Sequence, residues 1–89
     1  MMTFAERLKM LRMRSGKSRY RLAQYTGIDQ AYILRLETGE RSHPSREIVQ
    51  MLALALVENS QRVDIEDIDE LLLAAGYAPL RRAVNARAR

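Results

Sequence analysis

Gly16, Gly27, Gly39 and Gly76 are the four glycines of this 89-residue chain, and each falls just past a stretch whose apolar residues recur three and four places apart. Glycine tolerates the left-handed backbone that closes a helix, so each marks a helix end. No alternation of apolar and polar residues runs long enough for a strand. The chain is therefore restricted to short helices, an all-α fold.

The spacing predicts five of them. The first runs from Phe4 to about Arg14, capped by Thr3 with Glu6 completing a capping box; Phe4, Leu8 and Leu11 share a face. The second runs from Arg19 to Thr26 behind the cap Ser18, with Leu22, Ala23 and Thr26 facing inward. The third runs from Gln30 to Thr38 behind the cap Asp29, with Ile33 and Leu36 inward and Ile28 packed in the turn. Ser45 caps a fourth, Arg46 to Val57, with Ile48, Leu52, Ala55 and Leu56 inward. Asp64 caps a fifth, Ile65 to Ala75, with Ile65, Ile68, Leu72 and Ala75 inward and Leu71 beside them. Residues 1–79 read as one domain. Residues 80–89 read as a basic tail that is either frayed helix or unordered.

Composition removes several functions. With no cysteine there is no disulfide framework and no thiolate zinc site, and the lone His43 does not make a metal site. No apolar run approaches the roughly 20 residues of a membrane helix, so no membrane partner is expected. The first residues carry no secretory pattern, and the expected compartment is the cytoplasm. No nucleophile–base constellation and no phosphate-cradling glycine loop is present, so neither an enzyme nor a cofactor is expected. The acids Asp64, Glu66, Asp67, Asp69 and Glu70 lack the glycine and terminal Glu of a calcium loop and read as a helix start favoured by the macrodipole.

Charge is unevenly placed. Residues 1–46 carry ten Lys/Arg against four acids, residues 47–79 one Arg against seven acids, and residues 80–89 four Arg and no acid. A basic front half suggests a surface for a polyanion, with the acidic middle held away from it.

The segment Ser18–Gly39, SRYRLAQYTGIDQAYILRLETG, joins a short helix, a tight turn at Gly27 and a second short helix. Ala23 sits at the expected crossing, where a small side chain permits close approach. Such a pair leaves the first turns of the second helix projecting outward, and a helix fits the DNA major groove.

Leu22-Ala23, Gly27-Ile28, Tyr32-Ile33, Arg35-Leu36-Glu37, Gly39 and Pro44 together resemble the XRE-type regulators, the lambda/434 repressor and Cro-like family. The resemblance covers roughly Thr3 to Leu56 and implies a five-helix lambda-repressor-like domain with its helix-turn-helix at residues 18–38. It places Asp29, Gln30, Ala31 and Tyr32 at the start of the recognition helix. Gln30 is expected to pair with adenine, Ala31 to meet a thymine methyl, and Tyr32 and Arg35 to reach a base or a phosphate, while Asp29 is expected to act as a cap. Ser18 and Arg19 are expected on the DNA backbone, with Arg41, Ser42, His43 and Arg46 as a second phosphate clamp. In this family an Arg late in the first helix often pairs with the Glu ending the recognition helix. Arg12 and Glu37 occupy those positions, which implies an internal salt bridge. Leu34 departs from the pattern, which commonly has a polar residue such as Ser there. It is read as a lone exposed leucine, a thymine-methyl contact or a protein contact.

The stretch Asp69–Leu80 holds more apolar residues than one helical face buries. Leu71, Leu73, Tyr77 and Leu80 are expected at a homodimer interface that sets two recognition helices one DNA turn apart, about 34 Å. The alternative is that Leu73, Tyr77 and Leu80 fold back onto the domain's own core. The expected function is a sequence-specific regulator of double-stranded DNA, a repressor. A second reading is an antitoxin that masks a toxin protein and autoregulates its operon. A third is a recruitment module that kept the fold but lost DNA binding.

Overall fold

The computed structural model describes residues 2–81, and the basic tail beyond Arg81 lies outside the described residues. Five helices follow one another: α1 (Phe4–Ser15), α2 (Arg19–Thr26), α3 (Gln30–Thr38), α4 (Arg46–Val57) and α5 (Ile65–Ala74). No strand occurs among the described residues, and the fold class is all-α as the spacing predicts.

Each helix starts on the expected cap. Thr3 Oγ1 accepts from the Glu6 N–H while Glu6 Oε1 accepts from the Thr3 N–H, satisfying two backbone donors at once. Asp64 and Asp67 repeat that reciprocal arrangement at the start of α5. Ser18, Asp29 and Ser45 cap α2, α3 and α4.

Helix α4 lies at the centre, packed against α1, α2 and α5, while α3 rests on α1 and α2. The core is Leu8 and Leu11 from α1, Leu22 from α2, Ile33 and Leu36 from α3, Val49, Leu52 and Leu56 from α4, and Leu71 and Leu72 from α5, all fully buried. Each such side chain contributes about 1.5–3 kcal/mol by leaving water.

The inward face of α5 is rotated from expectation. Ile65 is exposed, and Ile68, Asp69, Leu71 and Leu72 are buried. The cause is that α5 packs on two helices, α1 and α4, so the arc it hides is wider and displaced toward Leu71. This corrects the dimer assignment for Leu71, which has no accessible surface to offer a partner. Tyr77 turns inward too: its ring packs against the core and its hydroxyl donates to the Pro44 carbonyl at 2.6 Å, fastening the α5 exit to the loop before α4. Leu73 and Leu80 remain exposed. In α4, Val49 takes the fully buried place expected for Ile48, which is half-buried.

Two buried charged groups do not announce themselves in the helical pattern. Lys17 Nζ donates to the Ala55 carbonyl at 2.5 Å, and also to the carbonyls of Leu56 and Glu58, so it satisfies the last turn of α4. Burial pushes its pKa below the ordinary lysine value, with Glu58 opposing. Asp69 accepts from the Leu80 N–H at 2.8 Å and from Arg81 Nε at 2.7 Å. Desolvation raises its pKa, but the bonds from Arg81 and Leu80 outweigh that and hold the carboxyl below the ordinary value.

Candidate nucleic-acid interface

The turn between α2 and α3 is tied by its own polar groups. Gly27 adopts φ +78°, which a glycine reaches without strain, and its N–H donates to the Ala23 carbonyl at 2.8 Å. Thr26 Oγ1 donates to the Leu22 carbonyl at 2.7 Å and accepts from the Ile28 N–H at 3.0 Å. Ile28 is buried beneath this knot. The angle between the two helices is thus set by groups two to four residues apart.

Helix α3 is two-sided. Ile33, Leu36 and Glu37 are buried, whereas Gln30, Ala31, Leu34, Arg35 and Thr38 are exposed. Asp29 Oδ1 accepts from the Ala31 N–H at 3.0 Å, a capping role. Tyr32 is half-buried with its ring against the core. Arg35 is exposed, with Glu40 Oε2 4.0 Å from its Nε.

Glu37 is where three helices meet. Its carboxylate, 1% exposed, accepts from Arg12 Nε at 2.6 Å and Arg12 Nη2 at 3.2 Å, and from Arg19 Nε at 3.0 Å. Arg12 also donates through Nη1 to the Lys17 carbonyl at 3.1 Å. The carboxylate therefore links α1, the start of α2 and the end of α3. Bidentate guanidinium–carboxylate pairing adds directional constraint to this link.

The expected phosphate ligands are not equally placed. Ser18 is exposed at the α2 N-terminus, its Oγ accepting from the Arg21 N–H at 3.0 Å and its hydroxyl proton still available. Arg19 is part-exposed and oriented by Glu37 through Nε alone. Arg41, Ser42 and His43 are exposed in the loop after α3. The Arg41 N–H donates to the Arg35 carbonyl at 3.0 Å, and His43 Nδ1 lies 3.0 Å from Ser42 Oγ, with His43 at a positive φ of 59°. Arg46 differs: it is half-buried and its Nη1 donates to the Ala78 carbonyl at 3.3 Å, drawing it toward the α5 exit.

A family model described as a helix-turn-helix domain matches residues 3–83. The chain belongs to the helix-turn-helix domain family. No curated protein and no solved structure gives a significant match. The family match agrees with the XRE-like resemblance and extends past Leu56 through α5, so α5 is part of the unit rather than an appendage. The helix-turn-helix domain is a DNA-binding module, and here its second helix, α3, has a buried side shaped by Ile33 and Leu36 and an outer side free to meet a ligand. No helix among the described residues is long and apolar enough to cross a membrane.

Sequence reasoning missed Lys17 and Asp69 as structural fasteners. Lys17 precedes the Ser18 cap, so its bonds to α4 hold the start of α2. Only its position directly before a helix cap hinted at this.

Proposed function

We propose that the chain is a sequence-specific transcriptional regulator, a repressor, that inserts α3 into the major groove of double-stranded DNA as a homodimer. The observation that carries this reading is the outer face of α3, where Gln30, Ala31 and Arg35 stand exposed together on a helix whose opposite face is locked into the core. A Gln amide can pair bidentately with adenine, a small Ala admits a thymine methyl, and Arg35 offers donors to guanine or phosphate. Ser18 and Arg19 at the α2 N-terminus, and Arg41, Ser42 and His43 after α3, flank that face as phosphate ligands. Arg46 is the weakest of the clamp, because its guanidinium is engaged by Ala78.

The homodimer uses exposed apolar residues on elements other than α3. Leu73 and Leu80 are exposed, and Leu80 lines an apolar cleft of about 400 Å³ between α4 and α5 together with Leu54 and Ile65, which are exposed as well. The same cleft would suit a toxin protein, the antitoxin reading, in a chain that does not self-associate.

Selection of bound sequences from random duplexes at a stated salt concentration tests the proposal. A palindromic consensus is the expected product, and Gln30→Ala and Arg35→Ala are expected to relax individual positions within it. Binding without any sequence preference would overturn direct readout.

A further inference from the structure

Leu34 stands 43% exposed on the outer side of α3. At about 100° per residue, Gln30, Leu34, Thr38, Ala31 and Arg35 follow one another across an arc of about 140°, opposite buried Ile33 and Leu36. Leu34 thus lies inside the reading face, one turn beyond Gln30 and Ala31. It sits about 6 Å further along the helix axis than Gln30, a little under two base-pair steps of about 3.4 Å. The major groove presents hydrogen-bonding edges and one apolar group, the C5-methyl of thymine. A leucine set against a polar edge would strip water from atoms it cannot pair, whereas against a methyl it buries apolar surface.

We propose that Leu34, with Ala31 beside it, is a specificity-determining residue that reads a pyrimidine C5-methyl group one to two base pairs beyond the base met by Gln30. The group recognised is the methyl itself, so 5-methylcytosine satisfies the position as thymine does. The inference rests on the reading that α3 enters the major groove.

The test uses the full chain and duplexes selected from random DNA. Each thymine is replaced in turn by deoxyuridine, which deletes only the methyl, and adjoining cytosines are replaced by 5-methylcytosine. At one or two thymines per half-site, deoxyuridine is expected to weaken binding about fourfold. Leu34→Ser is expected to lose the thymine-over-uracil preference at one of these thymines, and Leu34→Met to keep it. The side chain is exposed and hydrogen-bonds nothing, so both variants are expected to fold. Equal methyl dependence in the natural chain and Leu34→Ser, or none in the natural chain, overturns the methyl assignment and leaves the major-groove reading standing. Failure of the selection to enrich any sequence overturns both. Leu34→Ser that leaves every duplex affinity unchanged but lowers the sedimentation coefficient makes the leucine a protein contact and overturns the methyl reading.

Discussion

Glu37 and Asp69 are both buried carboxylates, and the halves of the molecule they serve use them differently. Glu37 accepts from two guanidiniums that reach it from α1 and α2, with 1% of its own side chain and 12% of that of Arg12 exposed. Asp69 accepts from one backbone N–H and from Arg81, whose side chain is 47% exposed. The first is a network that ties α1 to the helix-turn-helix pair and is closed except at Arg19, whose side chain is 30% exposed. The second is a half-open latch that returns the chain after α5 to the surface of α5. Burying an ion pair is weak evidence of net stability, since desolvation offsets much of the attraction, but breaking one partner of a closed network is costly. Rigid geometry is therefore concentrated where α3 must be aimed, and the α5 exit is held more loosely.

The largest effect should come from opening the closed network. Glu37→Gln removes the charge that both guanidiniums share, and a loss of about 3 kcal/mol is expected in urea unfolding at neutral pH. That is a large part of the few kcal/mol such a domain possesses. A variant of unchanged stability with altered DNA affinity would reverse the comparison and make Glu37 a ligand contact.

Lys17→Met should follow, at about 2 kcal/mol. It leaves three carbonyls at the end of α4 without their donor while keeping an apolar stem of similar length. Lys17 joins the two halves, so the loss should appear as one cooperative transition. Two separated transitions would show that α1–α3 and α4–α5 unfold independently.

Asp69→Asn is expected to cost about 1 kcal/mol, since an amide oxygen still accepts one of the two bonds. The natural chain carries a matching pH signature. The Asp69 pKa is lower folded than unfolded, so its stabilisation is complete above the unfolded value of about 3.9 and is lost as pH falls through the folded one. Acid unfolding below about pH 4 should be shallower in Asp69→Asn than in the natural chain. Identical acid profiles would show that the latch contributes nothing.

These residues also show what could be read in advance. Caps and glycine stops are local chemistry: Ser18 bonds within three residues of itself, and Gly27 needs only its own backbone freedom, so α1–α5 were legible to within a residue at each end. The exposed place of Gln30, Ala31 and Arg35 follows from helical period. What was not legible depends on partners distant in the chain. Lys17 meets carbonyls of α4 and of its cap Glu58, 38 to 41 residues away, and Tyr77 meets Pro44 33 residues away. Leu71 and Ile65 exchanged places because the width of a buried helical face is set by how many helices lie against it, which periodicity does not encode.

The smallest stability effect separates folding from assembly. Leu54 is 61% exposed beside the α4–α5 cleft, so Leu54→Glu removes little buried surface. Unfolding at low protein concentration should change by no more than about 0.5 kcal/mol. A homodimer seated on the cleft would have to bury that new carboxylate against apolar side chains, an unfavourable step. Sedimentation at micromolar concentration should therefore shift from dimer toward monomer, and binding to a palindromic duplex should weaken while binding to a half-site holds. The loosely held end of the molecule would then govern assembly, and the closed network would govern only the aim of α3. If Leu54→Glu sediments and binds as the natural chain does, the cleft is not the seat of self-association, and exposed Leu73 is left to be tested in the same way.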